Sequence, residues 1–447
     1  MRIPLLLLMV LCTIFVSACN TKYSVGGTVT GLSTSSTGLV LEDSDGSTLS
    51  ITGNGTFVFA TGIKNGSTYS VTVNTQPTNS VETQTCTVYN GSGTIAKLAI
   101  THVIVNCVQA AQYAWVANES SNNLSAFAID ASTGRLTPVA GSPFGSNGTT
   151  PTSIAVDPNG LYAYVANTGS DNVSVYAIDE TTGALTADSF TVAAGKEPVA
   201  VTVDPSDSFV YVANQASNDI SAYTINPSTG TLTAMSGSPF PVGAKPIALQ
   251  TDPGGNYLYV VNYTDGTVSV FAIDSVTGVL TTVSGSPFAA GKGASSIAID
   301  ATGVDAYVAN TLGATISAFS ITADSGALVE VSGSPFSSGS DVEAVALAPT
   351  AYTGSPVLYA ANATAANSVA IYGIGSSGEL GAAGANVGAG ALPDFAVVDP
   401  GGTFLYVANF NSNDISVYSI DSSGGTLTSV APATSTGGTQ PHSIALH

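Results

Sequence analysis

The chain has 447 residues and a formal net charge of −21, although only 8% of its residues are charged. So acidic a protein repels the phosphates of nucleic acid, which excludes nucleic acid as an expected partner. Because charged side chains are few, Ser, Thr, Asn and Gly must cover most of the surface. Beyond the amino-terminal segment no run reaches 18 apolar residues, so we expect no membrane-spanning helix there.

The amino-terminal segment has the features of an export signal. We predict a lipoprotein signal peptide over residues 1–18, with Arg2 as its basic region and an apolar core from Ile3 to Val16. Val16-Ser17-Ala18-Cys19 resembles the bacterial lipobox, and the alternative is an ordinary signal with a chance Cys. The lipobox makes Cys19 the lipid attachment site and residues 19–23 a lipidated tether. A membrane is then one partner, and the location is the outer membrane, on its periplasmic or cell-surface face.

Residues 24–108 contain short alternating runs of apolar and polar residues, separated by Gly, Asn and Ser. This pattern predicts a small all-β sandwich domain, followed by a linker over residues 109–112. Cys86 and Cys107 lie in two of the strand-like runs, joined by a Gly-rich turn. Because oxidised pairs persist in exported proteins, we predict a disulfide that staples this hairpin. No His accompanies the pair, so no metal site is expected.

The rest of the chain is organised by one repeated motif, Tyr-Val-Ala-Asn or a close variant. Each copy but the first follows an apolar run that mostly ends in Asp-Pro, and each precedes an alternating run and a Thr-Gly-x-Leu segment or a variant of it. The spacing is close to 48 residues, and each unit holds about four strand-like segments. The copies end at Asn118, Asn167, Asn214, Asn262, Asn310, Asn362 and Asn409. Such a period predicts the blades of a β-propeller, because a β-helix repeats at shorter intervals and a sandwich does not repeat sevenfold.

The two ends of this array predict how the ring closes. The last segment, Pro441 to Leu446, is a copy of the first strand of a blade with nothing after it. The first motif copy, at Asn118, lacks such a strand before it. Joining the two gives seven whole blades over residues 113–447, closed by the C-terminal strand. Closure removes free sheet edges, which would otherwise invite aggregation.

The candidate binding residues come from one structural position. In a propeller, the start of each inner strand and the loop before it line the mouth of the central channel. Three of the four basic residues of the ring, and its only non-terminal His, fall there. The candidates are Lys196, Glu197, Lys245, Lys292, Asp341, Glu343, Asp394 and His442. We expect the three Lys, placed at corresponding positions of successive blades, to face the acidic residues across the mouth. The alternative is that all eight are solvent-exposed loop ends.

These repeats resemble the YVTN-type propellers and the lactonase propeller family over residues 112–447. The resemblance rests on Tyr-Val-Ala-Asn, with Asp-Pro-x-Gly before it and Thr-Gly-x-Leu after it. It implies a seven-bladed ring and lactone chemistry, in which Arg and His after the inner-strand Pro hold an anionic substrate and move a proton. Only His442 matches that pattern here, and the single Arg of the ring, Arg135, lies in an outer strand.

Two functions follow as hypotheses. The first is a lipid-anchored binding or scaffold protein that uses its channel mouth to hold an unknown protein or small-molecule ligand, and is a monomer. The alternative is a lactone hydrolase or isomerase of the lactonase family with a divergent site, for which His442 is the one catalytic candidate. No cofactor is expected, because no zinc-ligand pattern occurs.

Overall fold

A computed structural model describes residues 21–32, 37–78, 84–109, 112–339, 341–348, 356–363, 367–382, 384–430 and 432–447. The chain forms two compact units, with the boundary between Val108 and Gln109. The predicted signal peptide, Cys19 and residues 110–111 of the predicted linker lie outside the described residues. Across the described part of the chain, no helix has the length and apolar character needed to cross a membrane.

The amino-terminal unit consists of two four-stranded sheets and one small strand pair. The first sheet orders its strands as Gly55–Val58, Val25–Thr30, Ile100–Gln109 and Gln84–Tyr89. The second orders them as Thr48–Ser50, Val40–Asp43, Thr68–Thr75 and Ser92–Thr94. The small pair joins Lys22–Tyr23, two residues that the sequence analysis assigned to the tether, to Ile63–Lys64. One apolar core contains residues of both sheets, and the predicted β-sandwich is therefore confirmed.

The predicted disulfide between Cys86 and Cys107 is confirmed. It joins neighbouring strands of the first sheet, but these strands do not form the simple hairpin that the sequence suggested. Between them the chain crosses to the second sheet, where Ser92–Thr94 pairs with Thr68–Thr75. The disulfide thus closes a segment of chain that belongs to both sheets.

The second unit contains seven antiparallel sheets, each with four main strands side by side. In six of them these strands follow chain order, and in the seventh the inner strand is the last strand of the chain. We number six blades by their inner strands and call the seventh the closing blade. The inner strands are Pro151–Val156, Pro198–Val203, Pro246–Thr251, Ala294–Ile299, Val342–Ala348, Pro393–Val398 and, in the closing blade, Pro441–Leu446. The second strands are Tyr162–Asn167, Phe209–Asn214, Tyr257–Asn262, Asp305–Asn310, Val357–Asn362, Phe404–Asn409 and Tyr113–Asn118.

The outer strands follow the same order around the ring. The third strands are Asn172–Ile178, Asp219–Ile225, Thr267–Ile273, Thr315–Ile321, Ser368–Ile374, Asp414–Ile420 and Asn123–Ile129. The fourth strands are Leu185–Ala193, Leu232–Ala234, Leu280–Thr282, Leu328–Glu330, Leu380–Ala382, Leu427–Ser429 and Leu136–Pro138. Short fifth strands pair with the third strands at Phe240–Pro241, Phe288–Ala289, Phe336–Ser337, Val387–Gly388, Thr434–Ser435 and Phe144–Gly145. A single 3₁₀ turn, Thr311–Gly313, interrupts the described strands.

The inner strands form a closed ring. Each lies beside the next, and Pro441–Leu446 lies beside both Pro393–Val398 and Pro151–Val156. In the closing blade, Pro441–Leu446 pairs antiparallel with Tyr113–Asn118, and Ile444 stands opposite Val116. The seven-bladed fold class is confirmed.

A circle of side-chain hydrogen bonds ties each blade to the next. The aromatic residue within each second strand donates to the carbonyl of a Gly between the third and fourth strands of the following blade, at 2.7–3.2 Å. The pairs are Tyr164–Gly230, Tyr211–Gly278, Tyr259–Gly326, Tyr307–Gly378, Tyr359–Gly425, Tyr406–Gly134 and Trp115–Gly183. Each donor is buried, so the bond also satisfies a polar group away from water. The bond explains the Tyr of the repeat. The turn residue is Gly for a different reason: Gly230, for example, has a left-handed φ of 68°, and a Cβ added there would lie 2.3 Å from Tyr162 Cδ1.

Candidate functional site

Each second strand ends on the motif Asn, whose side chain is fully buried. In blade 1, Asn167 Nδ2 donates to Asn172 Oδ1 at 2.9 Å and to Ser174 Oγ at 2.8 Å. The same two bonds, to the fifth and seventh residues after the Asn, recur at Asn118, Asn214, Asn262, Asn310 and Asn409. These asparagines hold the loops around the channel and do not line its wall.

A Gly of the loop before the inner strand packs on this Asn. A Cβ atom added to Gly148 would lie 2.3 Å from Asn167 Cγ, so no larger residue fits there. Two residues after this Gly, the backbone turns to a left-handed φ, directly before the inner strand. Left-handed residues at this place are Thr150, Glu197, Lys245, Gly293, Leu392 and Gln440. The resulting Gly-x-x-Pro spacing is visible in the sequence, and it fixes which loop residue turns toward the channel.

This spacing corrects the predicted alignment of the three Lys. Lys196 and Lys292 come one residue after the loop Gly, whereas Lys245 comes two residues after it, at the left-handed position. The Nζ atom of Lys196 lies 2.6 Å from Asp171 Oδ2, and its side chain is 72% exposed. The three ammonium groups therefore do not occupy equivalent places around the mouth.

A cavity of about 700 Å³ lies on the axis of the ring, lined by the inner strands and by residues that follow the motif Asn. Four of the eight predicted candidates line it. They are Lys245, Glu343, Asp394 and His442. The other four candidates do not line it. They are Lys196, Glu197, Lys292 and Asp341.

His442 and Asp394 each occupy the second residue of an inner strand, in the closing blade and in blade 6. His442 Nδ1 lies 3.4 Å from Asp394 Oδ2, and the two side chains are 39% and 19% exposed. The contact fails the geometry of a hydrogen bond, and within the described residues the buried Oδ2 atom has no other hydrogen-bond partner. Phe410 meets the imidazole edge-on, with ring centroids 6.0 Å apart. The imidazole is thus held between an aromatic ring and a carboxylate that lacks a full partner.

Glu343 occupies the same inner-strand position in blade 5. Its Oε2 atom accepts a hydrogen bond from Thr311 Oγ1 at 3.2 Å. Burial raises the pKa of the Glu343 carboxyl above its ordinary value, and the nearby carboxylates of Asp394 and Asp341 add to the rise. The hydrogen bond from Thr311 and the charge of His442 oppose it. This carboxyl therefore keeps its proton to a higher pH than a surface Glu does.

Lys245 supplies the positive charge of the cavity wall. Its φ is +56°, and its backbone N–H donates to Asn218 Oδ1 of blade 2 at 2.8 Å. Its Nζ atom lies 4.9 Å from the centre of the Tyr263 ring, which is a cation–π contact. The acidic groups of the wall outnumber this one ammonium group. They are Glu119, Glu343 and Asp394.

The wall is also uneven in polarity. At the inner-strand position that carries Glu343, Asp394 and His442, blades 2 and 3 carry Val199 and Ile247. One arc of the cavity is therefore acidic and another apolar. A ligand with polar oxygens on one side and carbon on the other would match both arcs.

Four of the cavity-wall residues that sequence reasoning missed share one position, Glu119, Thr168, Gln215 and Tyr263. Each directly follows a motif Asn, so the signal was one residue away from a motif already recognised. In the described ranges, no group of three or more His, Cys, Asp or Glu side chains is arranged to hold a metal ion.

The family model described as Lactonase, 7-bladed beta-propeller matches residues 48–247 and again residues 243–442. A comparison with curated proteins found no match.

Solved propellers are similar to the ring. A candidate 6-phosphogluconolactonase from Bacteroides fragilis is 21% identical, with a TM-score of 0.66, and the match covers 76% of this chain and 98% of that one. A protein from Lactobacillus plantarum is 20% identical, with a TM-score of 0.63 and coverage of 75% and 99%. The periplasmic gluconolactonase PpgL of Pseudomonas aeruginosa is 17% identical, with a TM-score of 0.62 and coverage of 75% and 98%. At these identities the likeness establishes the fold alone.

Proposed function

Because the chain belongs to the lactonase family of seven-bladed β-propellers, we propose that its ring hydrolyses lactones in the central cavity. The observation that carries the proposal is the pair formed by His442 and Asp394 on the cavity wall, with Nδ1 and Oδ2 3.4 Å apart. This contact is not a hydrogen bond in the structure, and catalytic hydrogen bonds commonly tighten only when substrate binds. We propose that Asp394 then orients His442, which is the usual arrangement for moving a proton to and from a reacting oxygen.

The geometry suggests the roles of the two residues. Asp394 favours the tautomer of His442 that carries its proton on Nδ1, which leaves Nε2 as the proton acceptor. The oxygen of a water molecule attacks the lactone carbonyl carbon while one of its protons passes to Nε2. The bond between this carbon and the ring oxygen then breaks, and the departing oxygen takes the proton from the imidazolium. The product is a hydroxy acid, and His442 is neutral again.

Two further wall residues would assist this reaction. Lys245 supplies the one ammonium group of the wall, which would stabilise the negative charge that develops on the attacked carbonyl if the substrate binds with this oxygen toward it. Glu343, whose pKa is raised by burial, can donate a hydrogen bond to a substrate oxygen while it is protonated. Neither contribution requires a bound metal or cofactor.

The charge of the wall favours an uncharged lactone as substrate. A phosphorylated lactone would meet Glu119, Glu343 and Asp394 against a single Lys, and Arg135 lies in the third-to-fourth strand turn of the closing blade, away from the wall. Repulsion between the phosphate and these like-charged carboxylates, at close range in a partly desolvated cavity, would make phosphate binding unfavourable. The site therefore departs from the Arg and His pattern of the phosphogluconolactonase-like enzymes.

The experiment is a hydrolysis assay of the full chain on simple γ- and δ-lactones and on a phosphorylated aldonolactone. We expect turnover of the uncharged lactones, and a fall in kcat/KM of about 100-fold or more in His442→Ala, because general acid–base catalysis typically contributes that much. Lys196→Ala is the matched control, since Lys196 is exposed and pairs with Asp171 outside the cavity. Turnover that survives unchanged in His442→Ala would contradict the proposal.

The second candidate is a binding protein without turnover, which the cation–π contact of Lys245 with Tyr263 at the cavity favours. It predicts that no lactone is hydrolysed, and that retention of a small carboxylate-bearing ligand is lost in Lys245→Ala and kept in Lys196→Ala. Hydrolysis that depends on His442 would exclude this candidate.

We also propose that the chain is exported and anchored to a membrane through acylated Cys19. The lipobox pattern supports this, and so does the Cys86–Cys107 disulfide, since such bonds persist in oxidising compartments. Two or more acyl chains give stable attachment, so the wild-type protein should sediment with the membrane fraction and Cys19→Ala should release it. Wild-type protein recovered entirely from the soluble fraction would disprove the anchor.

A further inference from the structure

The turns between first and second strands share one device on five blades. An Asp lies directly after the inner strand. Its Oδ1 atom accepts hydrogen bonds from the backbone N–H groups of the fourth and fifth residues that follow it. In blade 1, Asp157 Oδ1 accepts from Leu161 at 2.7 Å and from Tyr162 at 2.9 Å. The equivalents are Asp204, Asp252, Asp300 and Asp399. These turns lie at the opposite end of the inner strands from the loops that carry Lys245 and its equivalents.

The second carboxylate oxygen distinguishes blade 1 from its neighbours. In blade 2, Asp204 Oδ2 accepts from the backbone of Ser206 at 3.0 Å, and in blade 3, Asp252 Oδ2 accepts from Gly254 at 3.2 Å. The residue at that place in blade 1 is Asn159, and it donates no hydrogen bond to Asp157 Oδ2. Its Nδ2 atom donates instead to a carboxylate of blade 2, Asp207 Oδ2.

Asp207 is itself a departure from the repeat. At this position the other turns carry a left-handed Gly, with φ between 68° and 72°. These glycines are Gly160, Gly255, Gly303 and Gly402. Asp207 adopts the same backbone shape, with φ of 58°, although it has a side chain. The two exceptional residues of the turns, Asn159 and Asp207, thus meet between blades 1 and 2.

Three buried oxygen atoms of Asp157 and of these two residues have no hydrogen-bond partner among the described residues. These are Asp157 Oδ2, Asn159 Oδ1 and Asp207 Oδ1. Asp157 is 1% exposed, so water cannot solvate its free oxygen from the surface. A buried carboxylate oxygen without a donor or cation costs free energy, and the other turns avoid this cost.

The raised pKa values of Asp157 and Asp207 agree with a site that lacks a positive charge. Burial, and then the neighbouring Asp207, raise the pKa of Asp157 to about 7. Burial, and then Asp204, raise the pKa of Asp207 to about 6, while Asn159 opposes the rise. Tyr162 and Tyr164 also face these carboxylates, and His447 lies against Gly160 with Nε2 3.4 Å from Pro158 O.

We propose that Asp157, Asn159 and Asp207 bind a hard divalent cation, Ca²⁺, that links the turns of blades 1 and 2. The donor set contains only carboxylate and amide oxygens, which Ca²⁺ prefers over the nitrogen and sulfur ligands of transition metals. With three protein oxygens, water must fill the remaining coordination positions. The affinity should therefore be in the millimolar range, as in extracellular calcium modules. The expectation of no metal site did not foresee this set, because it depends on side chains from two blades.

The test is thermal unfolding of the full chain at pH 8, with EDTA, with about 10 mM CaCl₂, and with NaCl at matched ionic strength. Saturating Ca²⁺ at several times a millimolar Kd should raise the Tm of the ring by about 2–5 °C over both controls. Asp207→Gly should abolish the shift, and it should fold because Gly is the residue of the other turns. Asp252→Asn is the matched control and should keep the shift, because the Oδ2 atom of Asp252 already has a partner.

Protonation could neutralise Asp157 and Asp207 in place of Ca²⁺. The same experiment distinguishes protonation from Ca²⁺ binding. Carboxyls whose folded pKa is raised to about 7 and about 6 bind protons more tightly in the folded state, so without metal the ring should lose stability as pH rises from about 4 through 7. If acid stabilises the ring but Ca²⁺ adds nothing at pH 8, the proposal is overturned. A Ca²⁺ shift that persists in Asp207→Gly would overturn it equally.

Discussion

Removal of residues 440–447 will unfold or aggregate the ring under conditions in which the full chain stays folded. The deletion takes away the inner strand of the closing blade, which pairs with Tyr113–Asn118 and lies beside the inner strands of blades 6 and 1. The deletion also removes Ile444, which is buried in a core together with Phe404 and Tyr406. The closing blade would then expose a free inner edge, and open edges promote pairing between chains.

The measurement is calorimetric unfolding of the truncated and full chains, with size-exclusion chromatography to detect aggregates. His447→Ala is the matched control, because it changes the terminal side chain and keeps the strand. The amino-terminal unit serves as an internal reference, since its own transition should not move. A ring that melts at the same temperature after truncation would refute closure by this strand.

Loss of the Cys86–Cys107 bond will destabilise the amino-terminal unit by about 2–5 kcal/mol, the usual effect in small exported domains. Both cysteines are buried and stand 21 residues apart in sequence, across a chain that crosses from one sheet to the other. The unit is small, so its apolar core alone provides only marginal stability. Its transition should therefore move to lower temperature or disappear, whereas that of the ring should stay.

Two ways of breaking the bond test this prediction. A Cys86→Ser, Cys107→Ser double variant removes it permanently, and thiol reduction of the wild type removes it without changing either residue. Both should give the same shift in the melting of the amino-terminal unit. Two free thiols in the mass spectrum of unreduced protein would contradict the premise, and an unchanged transition would contradict the size of the effect.

Much of the fold could be predicted because most strand pairs of the ring form between segments that are close in sequence. The strands of blades 1 to 6 are neighbours in sequence, so a segment such as Tyr162–Asn167 and the turns around it specify a sheet without reference to distant residues. The closing blade could also be predicted, because Pro441–Leu446 repeats the pattern of an inner strand that the first motif copy lacks. The Cys86–Cys107 pair followed from cysteine number and export.

The candidate site was less accessible to sequence. His442 and Asp394 could be named from their position after the inner-strand Pro, but their 3.4 Å approach depends on two blades standing side by side. The three Lys looked equivalent because each lies near an inner strand. The left-handed backbone at Lys245 separates it from Lys196, which Asp171 holds outside the cavity. A shift of one residue in such a loop reverses the direction of a side chain, and no pattern of apolar residues records it.

The sequence by itself therefore determined the architecture of this protein: the number of blades, the strand that closes them and the disulfide of the first unit. This was possible because the alternation of apolar and polar residues in strands, and the residues of turns, specify structure over only a few positions. Only the tertiary structure decided which side chains share a cavity. It also decided that Asp157 and Asp207, from different blades, meet without a donor between them. Those relations depend on distances across blade boundaries, which are set by the packing of whole sheets.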